Sequence, residues 1–466
     1  MAHVISTIEP KTGREPPRPD RVLALTFFAV KLRGCTAIAS NRKGEFQQYS
    51  EQMKRTRSKS VQKDLRLLTL IYGNQNTSRI QLAKLTGASV GSMTAMIKRL
   101  IRKGLVVESG KGFGSLGRKP VSLTLRKELG HVVGIDLGSF LTRIAVADFS
   151  SNVSYKAEIP TRMSDGREAV IRRTFAAVHQ ALRQSHVSRD TLRGIGMAHS
   201  GVIDTQRGVV LCFPRPGQMA QWRNIPLRDM LETEFAVPSA LDDSARMMAL
   251  AEKRFGLGQE LNDALFIEVG MGIGASIFID GKLYRGPGGS AGEFGHMTVD
   301  ENGPLCSCGN RGCLEAMASC AAIISSVKSA IEQGVNSKVA ERVDGNLDRV
   351  GVEVIVQAAK ENDTLSSRVL HEAISHIGVM LADVINLLNP NCVIFAGPLF
   401  RECGDFILDQ VKDVIRRRAL EKSGSEAKLR VSNLGSDAAA LGAACLITQQ
   451  VLESLYYEKT SLHARP

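Results

Sequence analysis

Gly292-Glu293-Phe294-Gly295-His296 and, ten residues past the histidine, Cys306-Ser307-Cys308-Gly309-Asn310-Arg311-Gly312-Cys313-Leu314-Glu315 form the most specific stretch of this 466-residue chain. Three thiols fall within eight residues, and the glycines between them let the backbone wrap tightly. With His296 they make a Cys3His donor set suited to one tetrahedral zinc ion. Four protein ligands close the shell, so such a zinc is structural rather than catalytic. A redox thiol pair is the alternative reading. The other cysteines (Cys35, Cys212, Cys320, Cys392, Cys403 and Cys445) stand singly and read as buried thiols.

Upstream of this stretch, Ala264 to Val269 reads as a buried strand entering the glycine turn Gly270-Met271-Gly272-Ile273-Gly274. Val132 to Gly138 repeats that pattern, with a second strand from Thr142 to Phe149. Backbone amides at such turns can cradle phosphates, although glycine after a strand is often only a turn. Asp148 and Asp280 lie at strand ends and read as turn formers.

The N-terminal quarter differs in charge. Residues 1–126 carry 24 Lys+Arg against 7 Asp+Glu, so the whole chain's net +13 originates there, and the remainder is slightly acidic. This asymmetry points to a polyanion-binding module on a near-neutral body, a solvated basic tail being the plainer alternative. Residues 1–55 read as an irregular basic extension, with Pro10, Pro16, Pro17 and Pro19 clustered and a possible strand at 22–30. From Val61 a helical period appears through Leu65, Leu67, Leu68, Leu70 and Ile71, ending at Gly73-Asn74.

Arg79 to Ile97 then reads as a helix-turn-helix: Ala83 where the helices touch, Gly87 in the turn, and Leu82, Ala88, Met93 and Met96 facing inward. Ser89 caps the second helix, leaving Ser89, Gly91, Ser92 and Lys98 to approach a major groove beside Arg79. A glycine-rich hairpin follows between 108 and 117, and Val121 to Leu125 returns as a strand. Its Lys111, Arg118 and Lys119 suit phosphate or minor-groove contacts. The pattern predicts a winged helix-turn-helix over 56–126 that binds double-stranded operator DNA, followed by a body over 127–466.

Residues 285–319 resemble the signature of the ROK family of repressors, open reading frames and kinases. The order of winged helix, two glycine turns and cysteine loop resembles that family's sugar-responsive regulators from about residue 60 onward. The resemblance implies an α/β fold, a two-lobed actin-like ATPase body holding a sugar in its cleft and assembling as a homodimer or homotetramer. It implies that Glu293, His296 and Glu315 face sugar hydroxyls, with His296 also a zinc ligand beside Cys306, Cys308 and Cys313. Asp243 and the turn His199-Ser200-Gly201 are further candidates to ring a small sugar or sugar phosphate effector.

The chain departs from the family's kinases. Counting back from Glu252, the catalytic Asp of their Asn-Asp pair falls on Ser244, and the Asn on Asp243; a shift of one residue would restore Asp243 as the base. A serine hydroxyl is no base near neutral pH without a partner of its own. Phe140 and Leu141 replace a hydroxyl and a cation, Met271 replaces a threonine, and Ala396-Gly397-Pro398 replaces a triple glycine. The expected protein is a carbohydrate-gene repressor that has lost phosphoryl transfer. The rival is an active glucokinase or N-acylhexosamine kinase carrying a DNA-binding head. Composition is ordinary for a globular protein, with 43% hydrophobic and 23% charged residues. The early apolar run at 22–30 is too short to span a membrane and has no cleavage site, so a cytoplasmic location without membrane contact is expected. Residues 356–389 and 436–457 are candidate subunit-contact surfaces.

Overall fold

The computed structural model describes residues 59–462 apart from 75–76, 112–120, 214–220 and 261. The 1–55 extension, Arg118 and Lys119 lie outside the described residues.

The head opens with α1 (Lys59–Gly73), which buries Leu67, Leu68, Ile71 and Tyr72. Ser78 caps α2 (Arg79–Thr86) in a reciprocal capping box with Gln81, and Gly87 ends it at φ +69°, where glycine alone escapes a Cβ penalty. Ser89 caps α3 (Val90–Arg102) by accepting from the Ser92 amide at 3.2 Å. Leu82, Met93, Ile97 and Leu100 are fully buried, whereas Ala88 and Met96 are only half-buried. β1 (Val106–Lys111) pairs antiparallel with β2 (Val121–Leu125) to form the wing.

The body repeats one plan twice. In the first lobe β3 (His131–Leu137), β4 (Leu141–Asp148) and β5 (Val153–Pro160) form an antiparallel meander; α4 (Arg167–Gln184) leads to β6 (Leu192–His199). The small hairpin β7 (Val202–Asp204) and β8 (Val209–Cys212) and helix α5 (Leu227–Phe235) precede β9 (Ser239–Asp243). The sheet order is β5-β4-β3-β6-β9, with β3, β6 and β9 parallel.

Helix α6 (Ser244–Phe255) leads to the second lobe, where β10 (Ala264–Val269), β11 (Ile273–Ile279) and β12 (Lys282–Tyr284) form the matching meander. Helices α7 (Leu314–Ala318), α8 (Cys320–Glu332), α9 (Val352–Lys360) and α10 (Thr364–Leu388) precede β13 (Cys392–Ala396). Helix α11 (Pro398–Arg418), broken at Gly404, leads to β14 (Lys428–Val431), giving the order β12-β11-β10-β13-β14. Asp148 closes its turn by accepting from the Ser150 and Asn152 amides, as its position predicts.

Helix α12 (Ala438–Leu462) returns to the first lobe and packs on β3 and β6. Gly134 and Gly196 permit this, because a Cβ on either would strike the α12 backbone at Ala440 or Ala443. By length and apolarity α12 could cross a membrane, but 72% of that segment is buried within the protein. Stretch 436–457 is therefore largely a core helix; Ala439, Ala443, Ile447 and Val451 are spent inside the chain.

The far end of α12 meets the head. Asp64 of α1 is wholly buried and accepts from Arg99 Nε at 3.0 Å and from the Tyr456 hydroxyl at 2.9 Å. Lys103 Nζ donates to the same hydroxyl at 2.6 Å and lies 3.7 Å from the Asp64 carboxylate. Arg254 stacks over the buried Tyr72 ring at 4.8 Å. One carboxylate thus ties α1, α3 and α12 together.

Candidate functional site

The C-terminal ends of β3, β6 and β9 face those of β10 and β13 across a cleft of about 390 Å³, the place where open α/β sheets bind ligands. Asp136, Ser200, Gly201, Asp243 and Ser244 line one wall, and Gly270 to Gly274, Glu293, His296 and Glu315 the other. The structure therefore brings Asp243, Glu293, His296 and Glu315 into one cavity. His199 does not join them. It is fully buried behind the turn, between Phe213 at 5.2 Å and Trp222 at 5.3 Å, and its Nδ1 accepts from the Gly201 amide at 2.9 Å. Burial pushes its pKa down to about 4, so it is neutral at pH 7. Only Ser200 and Gly201 of that turn reach the cleft.

Ser244 begins α6, and its hydroxyl lies 3.4 Å from Asp136 Oδ1 and 3.3 Å from Ser200 Oγ. Asp243, one residue earlier, is the α6 N-cap and accepts from the Ala245 and Arg246 amides. Burial raises both carboxyls, Asp136 and Asp243, to about 6, against the opposing pull of Arg143 and Arg246 respectively. An unfolded Asp titrates near 3.9, so the fold holds extra protons between those values. Each carboxyl's stabilising share is present in full below about pH 4 and is lost as pH rises through 6. Asp136→Asn is accordingly expected to gain roughly 3 kcal/mol on the wild type between pH 4 and pH 8, read from urea unfolding at each pH.

Several cleft groups were not legible in the sequence. Arg143 sits opposite Asp136 in the β3–β4 register and opposite Glu158 in the β4–β5 register. Its guanidinium lies 3.7 Å from Asp136 and 2.7 Å from Glu158. The Glu268 side chain lies against Gly270, where a Cβ would collide with its carboxylate. The Gly270 amide donates to Gly272 O at 2.9 Å and the Ile273 amide to Glu315 Oε2 at 3.0 Å. These phosphate-turn amides are already engaged. Phe140 stands 64% exposed at the mouth, and Pro398 opens α11 without an amide to offer. Asp242, buried beside the site, accepts from Arg246 at 2.8 Å and Arg285 at 2.8 Å, and Arg246 also donates to Gly289 O at 2.8 Å. The Asp-x-x-x-Arg spacing across the start of α6 was the available signal for that clamp.

The thiol loop closes over the same wall. Val299 N bonds Gly312 O at 2.8 Å and Cys306 N bonds Asn310 O at 2.7 Å; Gly312 holds φ +62° where a Cβ would strike Asp300. His296 Nδ1 lies 3.7 Å from Cys306 Sγ, Cys308 Sγ lies 3.7 Å from Cys313 Sγ, and all four donors fall within 4.8 Å of one another. The edge of a tetrahedron with metal–sulfur bonds of ~2.3 Å is about 3.8 Å, so the set fits one metal ion.

On the head, Gly91, Ser92 and Lys98 are exposed on α3, together with Arg102, which sequence reasoning missed. Ser89 is exposed but its hydroxyl is committed to capping. Arg79 is turned toward the wing and paired with Glu108 at 2.6 Å, so phosphate contact would compete with that bond. Lys111 closes β1.

A winged helix on a duplicated, cleft-bearing kinase-type body defines a class: a nucleic-acid-binding head fused to a sugar-kinase fold. The ROK family model matches residues 132–450 and a winged helix-turn-helix DNA-binding model matches 62–107; the chain belongs to the ROK family. A xylose repressor of Caldicellulosiruptor bescii is 32% identical over 388 residues, covering 83% of this chain and 96% of that protein. A crystal structure of a ROK-family transcriptional regulator homologous to E. coli MLC superposes with TM-score 0.69 at 26% identity, covering 86% and 98%. A Streptomyces griseus ROK glucokinase bound to glucose and AMPPNP superposes with TM-score 0.60 at 30% identity, covering 68% of this chain and 99% of that one.

Proposed function

We propose that the chain is a sugar-responsive transcriptional repressor of carbohydrate genes, acting in the cytoplasm as a homodimer or homotetramer. One observation carries the reading. Helix α12 lines the cleft at Ala438 and holds the head at Tyr456, a run of eighteen residues or about 27 Å of rigid helix. A sugar that shifts α12 therefore changes the seat of α3. Paired heads must match half-sites one helical turn apart, so a small rotation costs operator affinity, in proportion to the sugar's preference for one state.

Asp243, Glu293 and Glu315 supply acceptors for sugar hydroxyls, and His296 helps hold the wall that carries them. Zinc is the metal that the Cys3His set suits; bound there, it supplies rigidity and no chemistry. Phosphoryl transfer is lost on this reading. Ser244 offers no base, Arg143 takes up the Asp136 charge, and Glu268 stands where a phosphate would need donors. The full-length protein is expected to retard its promoter DNA, to release it when a sugar is added, and to form no ADP from ATP, magnesium and a hexose panel. ADP release at a few turnovers per second would sink the loss of catalysis. Promoter binding indifferent to every sugar would sink the sugar response.

A further inference from the structure

We infer that the cleft selects an uncharged sugar and rejects sugar phosphates and sugar acids; the inference rests on the sugar-responsive reading and narrows it. The cleft walls carry the carboxylates of Asp136, Asp243, Glu252, Glu268, Glu293 and Glu315. Three guanidiniums face them, and each already has a carboxylate partner. Arg143 lies between Asp136 and Glu158, Arg246 is held by Asp242 and the Gly289 carbonyl, and Arg401 lies 3.5 Å from Glu402. Among the described residues lining the cleft, no cation is left over for an anion.

Two backbone amides of the second glycine turn are committed as well. The Gly270 amide is spent on Gly272 and the Ile273 amide on Glu315, with the Glu268 carboxylate over the same turn. A phosphate monoester carries about −1.5 to −2 charges near pH 7, and like charge on the carboxylates around it opposes its entry. Neutral polyols meet the opposite situation. Every hydroxyl is a donor, and hydroxyl-to-carboxylate bonds are short and charge-assisted.

The test uses the intact chain with its promoter DNA. Xylose, glucose and N-acetylglucosamine are titrated alongside glucose 6-phosphate, N-acetylglucosamine 6-phosphate and glucuronate, reading thermal shift and DNA release. At least one neutral sugar is expected to act, and each charged counterpart is expected to bind at least a hundredfold more weakly than its neutral parent. Glu268→Gln should narrow that gap about tenfold by strengthening only the phosphorylated member. A charged sugar that binds as well as its parent, or better, overturns the inference and leaves the repressor reading standing. Absence of binding by every member overturns the sugar response and the inference with it. An unchanged gap in Glu268→Gln overturns the role given to that carboxylate.

Discussion

Replacing Asp64 by alanine is expected to destabilise the protein by about 3 kcal/mol and to weaken specific operator binding by at least tenfold. The side chain is fully buried, while Arg99 and Lys103 keep partial access to water, with 34% and 18% of their side chains exposed. Removing one member of a buried ion pair costs roughly 3–5 kcal/mol because the remaining charge has no counter-ion. Partial hydration of the two cations puts this case at the lower end. The same change adds one positive charge to an already basic head, so binding to random duplex should strengthen slightly at low salt. Specific and non-specific affinity should thus move in opposite directions, which simple unfolding would not produce. Urea unfolding and operator titration at two salt concentrations read both effects. Wild-type unfolding with a wild-type ratio of specific to random binding would mean that Asp64 does not seat α3.

Tyr456→Phe separates the layers of that junction. It removes one hydroxyl and keeps the Asp64–Arg99 bonds. About 1 kcal/mol of stability is at stake. Operator affinity in the absence of sugar should stay near the wild-type value, while sugar-driven release should weaken, because the direct bond from α12 to Asp64 is gone.

The features legible in the sequence were those whose chemistry is local. Cysteine spacing, glycine after a strand and a capping serine operate within a few residues, and the thiol loop, both glycine turns and α2–α3 fall where the sequence places them. Groups assembled by sheet register were not legible. Arg143 meets Asp136 and Glu158 only because three strands align them as cross-strand neighbours. Arg285 reaches Asp242 across 43 residues of chain. His199 was misplaced because alternation cannot say which residue of a turn points into the core. Stretch 436–457 was read as a surface for another subunit, although α12 is apolar on every side near Ala439 to Ile447. That pattern marks a central helix, and the two glycines of β3 and β6 that admit it lie some 250 to 300 residues away.

Cys313→Ser carries the second large expected effect, on the cleft and not on the head. Cys313 directly precedes α7, and its neighbour Glu315 joins that helix to the second glycine turn through the Ile273 amide. Loss of a thiolate ligand should abolish metal retention, since three remaining donors cannot close a structural shell. Freed from that anchor, α7 no longer fixes Glu315, and sugar affinity should fall about a hundredfold, within the range seen when supports of a metal site are removed. Operator binding without sugar should persist, because the bonds at Asp64 that seat the head come from α1, α3 and α12 and from no residue of the thiol loop. Elemental analysis, sugar-dependent thermal shift and promoter titration test the three parts separately. Cys308→Ser and prolonged chelation should give the same triad of results, since both act through the metal. A wild-type protein that holds no metal but loses two mass units between Cys308 and Cys313 would assign the cluster to redox chemistry instead. A metal-free variant with full sugar response would uncouple the loop from the cleft.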